Sequence, residues 1–331
     1  MSGRKYLRMI LILLLILSIG LQVLAEEPVE PEPEPAPAAE TASPESDLPP
    51  RDVPADDPRF LDRSWDEIMT EFLARKYAPT ENVGIVYYNT VTGETHMING
   101  DQYFYAASLY KLPLNMHFGE KIYNGEMSMD DKIYGLRYGD MQRSSLQFSA
   151  NWTSETLQGY LGGMSAFVDA ILPYILDEGE EGSRNDLMTN SFTPAQMLHA
   201  LKLLYKDPDR YPDVLYYLQL AMPDGFFRQY EKRFPIAHKY GWLNEQGLGI
   251  ANDVGIVWTD EPILLVFMSN FIPGSTITIG EYCALMCDYT QYWHGRRLTE
   301  TEAAAQRAAK LVRADTSALV RAIGALPQAS S

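Results

Sequence analysis

The sequence predicts an α+β domain: one antiparallel sheet of about five strands, flanked by helices and carrying an inserted all-helical subdomain. Two observations predict this class. Short apolar runs rich in β-branched and aromatic residues occur at 83–100 and again at 236–271. Between them, from Ser108 to about Leu220, apolar residues recur with the period of a helix, and the pattern stops at signals such as the Gly-Gly pair at 162–163.

The N-terminal part of the domain is predicted to contain one helix and a hairpin. Ser-Trp-Asp-Glu at 64–67 forms a capping box, so a helix should begin there and run to about Lys76. Two strand-like runs follow, at 83–88 and 95–100, separated by a polar turn that contains Gly93. A helix followed by two strands indicates mixed topology.

The C-terminal part supplies the remaining strands. Strand patterns occur at 236–239, 249–259 and 263–271. Beyond them, Thr-Glu-Thr-Glu at 299–302 is a second capping box, and an Ala-rich run continues to about Ala325. We therefore expect a separate C-terminal helix, or helix pair, that starts at Thr299.

The first 25 residues predict a secretory signal peptide. Arg4, Lys5 and Arg8 precede an apolar run that begins at Met9 and ends in small residues near Ala25. The run is shorter than the about 20 residues that span a bilayer, although an uncleaved anchor is the alternative. The protein is expected to be secreted or extracytoplasmic, with a possible membrane tether through residues 9–25.

Residues 26–58 are predicted to form an acidic, disordered linker. Up to Asp57 this segment contains 11 acidic residues and a single basic one, Arg51. A segment so poor in apolar residues cannot bury enough surface to fold. Most of the net charge of −17 therefore belongs to the linker rather than to the folded domain. That domain is placed at 59–297, with 298–331 as a C-terminal extension.

The composition disfavours several kinds of site. The five histidines show no spacing typical of metal ligands, so neither a metal nor another cofactor is expected. No basic patch with interleaved aromatic residues occurs, which argues against nucleic-acid binding.

Cys283 and Cys287 lie one helical turn apart, where a disulfide fits poorly, and are interpreted as buried apolar groups. His238 should face away from Lys239 as a packed strand residue. We expect a monomer.

Three motifs, in this order along the chain, bring together groups suited to nucleophilic catalysis. Ser108 is followed by Lys111, and in a helix this spacing places the amine near the hydroxyl whose proton it can remove. Partial burial would lower the lysine pKa toward that of a working base. Ser-Ala-Asn at 149–151 forms a polar turn before a helix, and Lys-Tyr-Gly at 239–241 lies on a predicted strand.

This order of motifs resembles that of the penicillin-recognising serine hydrolases, and in particular of the class A β-lactamase-like family. The resemblance extends over about residues 60–295. It includes the hairpin at 83–100. It also includes a helix that begins with the Thr-Pro pair at 193–194, where the chain resembles the family's exit from the omega loop. The resemblance implies an α/β sandwich whose site lies in the cleft between the sheet edge and the helical subdomain.

The resemblance also implies roles for the catalytic groups. Ser108 would be the nucleophile that becomes acylated, and Lys111 would accept its proton in at least one step. Ser149 would relay a proton toward the leaving nitrogen. Asn151 would orient Lys111 and the substrate amide.

On the strand, Lys239 would supply positive potential toward a substrate carboxylate. Gly241 would let the backbone approach the ligand closely. The backbone N–H groups of Ser108 and Trp242 would form an oxyanion hole, in which each donor can lower the barrier by about 3 kcal/mol.

Three positions depart from the family pattern. Ala150 replaces the usual aspartate, and Tyr240 replaces a small hydroxyl residue, which leaves binding of a substrate carboxylate open. The glutamate that activates the deacylating water should precede Thr193, where the chain has an acidic loop at 177–186. Glu178 is the nearest candidate in that loop, and a solvated loop without catalytic function is the alternative.

The three motifs and the resemblance are compatible with several functions. The first is an acyl-enzyme serine hydrolase that acts on a β-lactam, on a peptidoglycan-type peptide, or on a related amide or ester. A D-alanyl peptidase or penicillin-binding protein with slow deacylation is the alternative within the enzymes. A ligand-binding or sensing module that has lost turnover on the same scaffold is the alternative of a different class.

Overall fold

The computed structural model describes residues 53–180, 182–245 and 248–324. The predicted signal peptide at 1–25, the linker up to residue 52 and the last seven residues lie outside this range. Within it, no helix is both long enough and apolar enough to cross a bilayer.

Elements from the two ends of the domain build the sheet, and the helices between them build the inserted subdomain. The N-terminal part contains α1 (Trp65–Arg75), β1 (Val83–Asn89), β2 (Thr95–Ile98) and the short β3 (Phe104–Tyr105). The inserted region contains α2 (Lys111–Tyr123), β4 (Lys132–Ile133), β5 (Leu136–Arg137), α3 (Tyr138–Leu146), α4 (Asn151–Leu161), α5 (Met164–Ile175), α6 (Arg184–Met188), β6 (Ser191–Phe192), α7 (Pro194–Lys206) and α8 (Pro212–Leu220). The C-terminal part contains β7 (Ile236–Glu245), β8 (Leu248–Val257), β9 (Ile263–Ser269) and α9 (Ser275–Gly324).

The central sheet has five strands in the order β2-β1-β9-β8-β7, and every neighbouring pair is antiparallel. The predicted α+β fold with about five antiparallel strands is confirmed. β7 continues past its predicted end at Lys239 to Glu245, because pairing with β8 satisfies the added backbone groups up to Glu245↔Leu248. β7 is also an edge strand, so one side of its backbone is free to face the inserted helices.

Both faces of the sheet are covered, and successive residues of each strand serve opposite faces. Ile85 and Phe267 belong to the apolar core formed with α1 and α9. Val86 and Val266, their chain neighbours, belong to the core formed with the inserted helices. This alternation follows from the two-residue period of a strand. The result is the predicted sandwich of helices, sheet and helices.

Two helix starts that were predicted from sequence are confirmed by their hydrogen bonds. At α1, the Glu67 backbone N–H donates to Ser64 Oγ at 3.3 Å, and the Ser64 backbone N–H donates to Glu67 Oε2 at 2.8 Å. At α7, Thr193 and Gln196 form the same reciprocal pair at 3.1 and 2.9 Å. Each capping box satisfies backbone groups that a helix terminus leaves unpaired.

The C-terminal helix differs from the prediction. α9 begins at Ser275 and is continuous through Thr299, so the expected separate helix is the continuation of an element that belongs to the sandwich. The Thr299 and Thr301 hydroxyls donate to the carbonyls of Gly295 and Arg297 one turn earlier, at 3.0 and 2.8 Å. A threonine that bonds back in this way fits a helix interior, and no proline precedes it in α9 to end the helix. Cys283 and Cys287 are buried and unbridged in α9, as predicted.

Candidate active site

Ser108 lies at the entry to the inserted helices, in a 3₁₀ turn over Ala107–Tyr110 that leads directly into α2. The α-helix itself therefore begins at Lys111 rather than at Ser108. Ala107, just before the serine, has a φ of 50°, in the left-handed region that a residue with a Cβ adopts at a cost. Such local strain occurs where the surroundings fix the backbone, and it often marks a functional turn.

Two asparagines hold the chain on the N-terminal side of Ser108. Asn190 Nδ2 donates to the Ala107 carbonyl at 2.8 Å, and the Ala106 N–H donates to the Asn190 carbonyl at 2.8 Å. Asn252 Nδ2 donates to the Tyr105 carbonyl at 2.9 Å. Sequence reasoning missed both roles. Asn252 carried a usable signal, because a polar residue within an apolar strand must find a partner when buried.

β7 approaches the serine turn from the other side, at Gly241. A Cβ built on Gly241 would lie 2.7 Å from the Ala106 oxygen and 2.9 Å from the Ser108 nitrogen. Only glycine fits so close a backbone contact. Trp242 follows with its side chain 56% exposed. The structure thus places Gly241 beside the N–H of Ser108, while the oxyanion role of the Ser108 and Trp242 N–H groups stays a prediction.

Lys111 is fully buried, and its amine is held by the second motif. Lys111 Nζ donates to the Ser149 carbonyl at 2.5 Å and to Asn151 Oδ1 at 2.8 Å. Burial lowers the pKa of Lys111 to about 8, and the negative charge of Glu155 opposes this effect. Within the described residues, Lys111 donates to these two oxygens and not to the Ser108 hydroxyl. Asn151 does hold Lys111, as expected.

Lys239 of β7 carries a second buried amine, which also bonds to Ser149. Lys239 has no exposed surface, and its Nζ donates to Ser149 Oγ at 2.9 Å and to the Tyr240 carbonyl at 2.8 Å. Burial and the positive charge of Lys111 hold the pKa of Lys239 well below its usual value, against the opposing charge of Asp253. Ser149 therefore lies between two lysines, with its carbonyl on one and its hydroxyl on the other.

Tyr240 closes the cluster around Ser149. Its ring lies 4.2 Å from Lys239 Nζ and packs against Phe226 at 5.1 Å. Burial and the charge of Asp253 raise the pKa of Tyr240, and a polar interaction with Ser149 lowers it. In this arrangement Lys239 donates inside the cluster and does not face solvent.

Glu178, by contrast, lies apart from the cluster. It is exposed in the segment after α5, where the neighbouring Asp177 lies 3.5 Å from His199 of α7. Asp177 and Glu180 line a separate cavity of about 730 Å³ against α7. Within the described residues, Glu178 forms no hydrogen bond or ion pair with Ser108 or Lys111. The acidic loop turns toward α7. The carboxylate whose charge raises the pKa of Lys111 is instead that of Glu155 on α4.

His238 confirms its interpretation as a packed strand residue. It is fully buried, with Nδ1 2.7 Å from an Asp253 oxygen and Nε2 3.0 Å from the Ala221 carbonyl. In the parts of the chain that the structure describes, no group of three or more His, Cys, Asp or Glu side chains is placed to hold a metal ion.

The geometry agrees with a comparison of the sequence with protein-family models. The model of the beta-lactamase enzyme family matches residues 65–275, which include the three motifs and all five strands. The chain belongs to the beta-lactamase enzyme family. No protein of curated function matches the sequence.

Solved structures of class A β-lactamases share the fold of this family member. An ancestral class A β-lactamase is 21% identical with a TM-score of 0.56, covering 66% of this chain and 96% of its own. A β-lactamase from Chitinophaga pinensis is 18% identical with a TM-score of 0.57, covering 70% and 98%. The TLA-1 extended-spectrum β-lactamase is 17% identical with a TM-score of 0.59, covering 69% and 100%. Family and fold together support a serine-hydrolase-like enzyme.

Proposed function

We propose that this protein is a serine hydrolase that works through an acyl-enzyme on Ser108. The observation that carries the proposal is the convergence of two buried lysines, Lys111 and Lys239, on Ser149 beside the serine turn. Burying two amines so close together is unfavourable unless they are hydrogen-bonded, and the charge of Lys111 lowers the pKa of Lys239. Such groups with shifted pKa values in a cleft are typical of functional sites.

In the proposed acylation step, Lys111 in its neutral form accepts the proton of the Ser108 hydroxyl. The Ser108 oxygen then attacks the substrate carbonyl carbon, and the N–H groups of Ser108 and Trp242 stabilise the oxyanion. When the bond from carbon to the leaving nitrogen breaks, Ser149 passes its proton to that nitrogen. Lys111 then gives Ser149 the proton that it took from Ser108 and is neutral again, while Lys239 holds Ser149 Oγ in place through a hydrogen bond of 2.9 Å.

The substrate that we propose is a β-lactam, or a related amide or ester of the cell envelope. The resemblance of the three motifs to those of penicillin-recognising enzymes supports this substrate class. The predicted signal segment supports action outside the cytoplasm, with residues 9–25 as a tether if they are not cleaved. A small-molecule or peptide substrate requires no cofactor in this mechanism.

The test is intact-mass measurement over time on the full chain with excess penicillin. We expect the protein to gain the mass of one penicillin, and Ser108→Ala to gain nothing while keeping its fold. Ser128→Ala, at an exposed turn serine, is the matched control and should label like the unmodified protein. Labelling of Ser108→Ala at the normal rate would contradict the proposal.

A D-alanyl peptidase with slow deacylation is the second candidate. The observation that favours it is the exposed position of Glu178, which within the described residues forms no hydrogen bond or ion pair with Ser149, Lys111 or Lys239. This candidate predicts a penicillin adduct that persists and release of D-alanine from a D-Ala-D-Ala peptide. Rapid turnover of penicillin with no D-alanine release would exclude it.

A further inference from the structure

We propose that Glu155 is the general base that activates water to release the acyl group from Ser108. This inference rests on the proposed acyl-enzyme function. It assigns the deacylation step to a helix of the inserted subdomain rather than to the acidic loop at 177–186.

The first argument is the position of Glu155 on α4. Asn151 begins this helix, and Glu155 follows it by four residues, so the two side chains lie on the same helix face one turn apart. Asn151 Oδ1 accepts a hydrogen bond from Lys111 Nζ at 2.8 Å. The face that carries Glu155 is therefore the face turned toward the lysine of the site.

The second argument is that the first turn of α4 is fixed in place. Ser154 Oγ lies 2.8 Å from Ser145 Oγ, and Asn115 Nδ2 of α2 donates to the same Ser145 oxygen at 2.9 Å. All three residues are buried. A buried chain of hydrogen bonds between three helices holds α4 against α2, so the helix that carries Glu155 has a defined position relative to the helix that carries Lys111.

The third argument is electrostatic. Glu155 is the carboxylate, among those that the structure describes, whose charge raises the pKa of Lys111. Its charge also raises the pKa of Tyr110, the residue just before Lys111, alongside the larger effect of burial. The charge of Glu155 thus raises the pKa of two neighbouring residues, Tyr110 and Lys111, where α2 begins.

The fourth argument is that Glu155 is available. It is exposed, and within the described residues it takes part in no hydrogen bond or ion pair. Asp169 of α5, in contrast, is paired with Arg184, and Asp253 is paired with His238. A carboxylate without a protein partner is open to water, which is what a general base for hydrolysis requires.

The chemical step balances with the groups present. A water molecule gives one proton to the Glu155 carboxylate as its oxygen attacks the ester carbonyl carbon of acylated Ser108. The tetrahedral intermediate then breaks the bond between that carbon and Ser108 Oγ. The proton held by Glu155 returns to Ser108 Oγ through Lys111, and the acid product leaves with the oxygen of the water.

The test measures acylation and deacylation separately on the full chain, by quenched intact-mass measurement of the penicillin adduct. For Glu155→Gln we expect adduct formation within a few-fold of the unmodified protein and adduct decay slowed by at least about 100-fold. Glu155→Asp, which keeps the carboxylate, should restore part of the decay. Glu126→Gln, at an exposed glutamate after α2, is the matched control and should leave both rates unchanged.

Each other result overturns the inference in a recognisable way. An adduct of Glu155→Gln that decays at the normal rate removes Glu155 from deacylation, and loss of decay in Glu178→Gln instead assigns the step to the acidic loop. An adduct that does not decay even in the unmodified protein refutes the inference while the acyl-enzyme on Ser108 stands. Failure of any adduct to form on Ser108 refutes the proposed function and this inference together.

Discussion

At the scale of single residues, burial lowers the pKa of two lysines, Lys111 and Lys239. Neither Lys111 nor Lys239 has exposed surface, yet both ammonium groups end on oxygens of Ser149. Desolvation disfavours the charged form of each amine, and the charge of Lys111 further lowers the pKa of Lys239. Hydrogen bonding to Ser149 offsets part of the cost of burial, so the serine and the two amines depend on one another.

The lowered pKa of Lys111 predicts how acylation depends on pH. Burial brings this pKa to about 8, so the neutral amine that accepts a proton is the minor form at pH 7 and the major form above pH 8. The acylation rate should therefore rise through about pH 8 and fall about tenfold for each unit below pH 7. Rapid-quench measurement of adduct formation between pH 6 and 10 checks this.

Lys111→Arg is the control for this pH profile. A guanidinium stays charged throughout the range, so the rise near pH 8 should vanish and acylation should fall by at least about 100-fold. A pH profile that is unchanged in the arginine variant would mean that another group is the base.

At the scale of elements, the site depends on an edge strand meeting the start of a helix. β7 has a sheet neighbour on one side only, and its backbone at Gly241 lies against the turn that carries Ser108. β3 pairs with β6 at Phe104↔Phe192, which ties the chain before Ser108 to the segment leading into α7. The serine turn is therefore held from both sides by extended backbone.

Gly241→Ala tests this contact. The added Cβ would lie 2.7 Å from the Ala106 oxygen and 2.9 Å from the Ser108 nitrogen, so the strand and the serine turn must separate. We expect acylation to fall by at least about 100-fold, because the oxyanion donors move, and the free energy of unfolding to fall by about 1–3 kcal/mol. Adduct formation and urea unfolding measure the two effects.

Gly159 of α4 provides the matched control. A Cβ there meets no atom within 4 Å, and alanine is the better helix former. Gly159→Ala should keep the acylation rate and raise the free energy of unfolding by up to about 1 kcal/mol. Normal acylation in Gly241→Ala would show that the close approach of β7 is not needed for the reaction.

At the scale of the whole molecule, one buried carboxylate joins α9 to the sheet. Glu261, between β8 and β9, is bonded by His294 at 2.9 Å, by Asn89 at 2.7 Å and by Arg297. Burial raises the pKa of Glu261, and the hydrogen bonds from these three residues outweigh it and lower the pKa. The carboxylate is thus stable inside the fold only while α9 supplies its partners.

Shortened chains test this dependence. A chain that ends after Leu298 keeps His294 and Arg297, so the hydrogen bonds to Glu261 should stabilise it as they stabilise the full chain. A chain that ends after Tyr292 leaves Glu261 without His294 and Arg297, and should be less stable by about 3–5 kcal/mol. Urea unfolding of the two chains provides the measurement, and equal stability would mean that the buried network contributes little.

The sequence by itself determined the parts of this protein that depend on local pattern. Two-residue and helical periods predicted the sheet and the inserted helices. The capping box at 64–67 and the Thr-Pro pair at 193–194 predicted the starts of α1 and α7, because both signals act between residues that are close along the chain. Lys111 bonds to Ser149 and Asn151 rather than to the Ser108 hydroxyl, so the pairing of Ser108 with Lys111 that their spacing indicates stays a prediction. The same local signal misled at Thr299, where the helix had already started at Ser275.

Only the tertiary structure decided what depends on contacts between distant segments. It brought Lys239 onto Ser149, seated Asn190 and Asn252 on the serine turn, and covered both lysines so that their pKa values fall. It also turned the acidic loop toward α7 and placed Glu155 where its charge raises the pKa of Lys111. Burial and charge interactions depend on distances through space, and a residue pattern along one segment carries no measure of those distances.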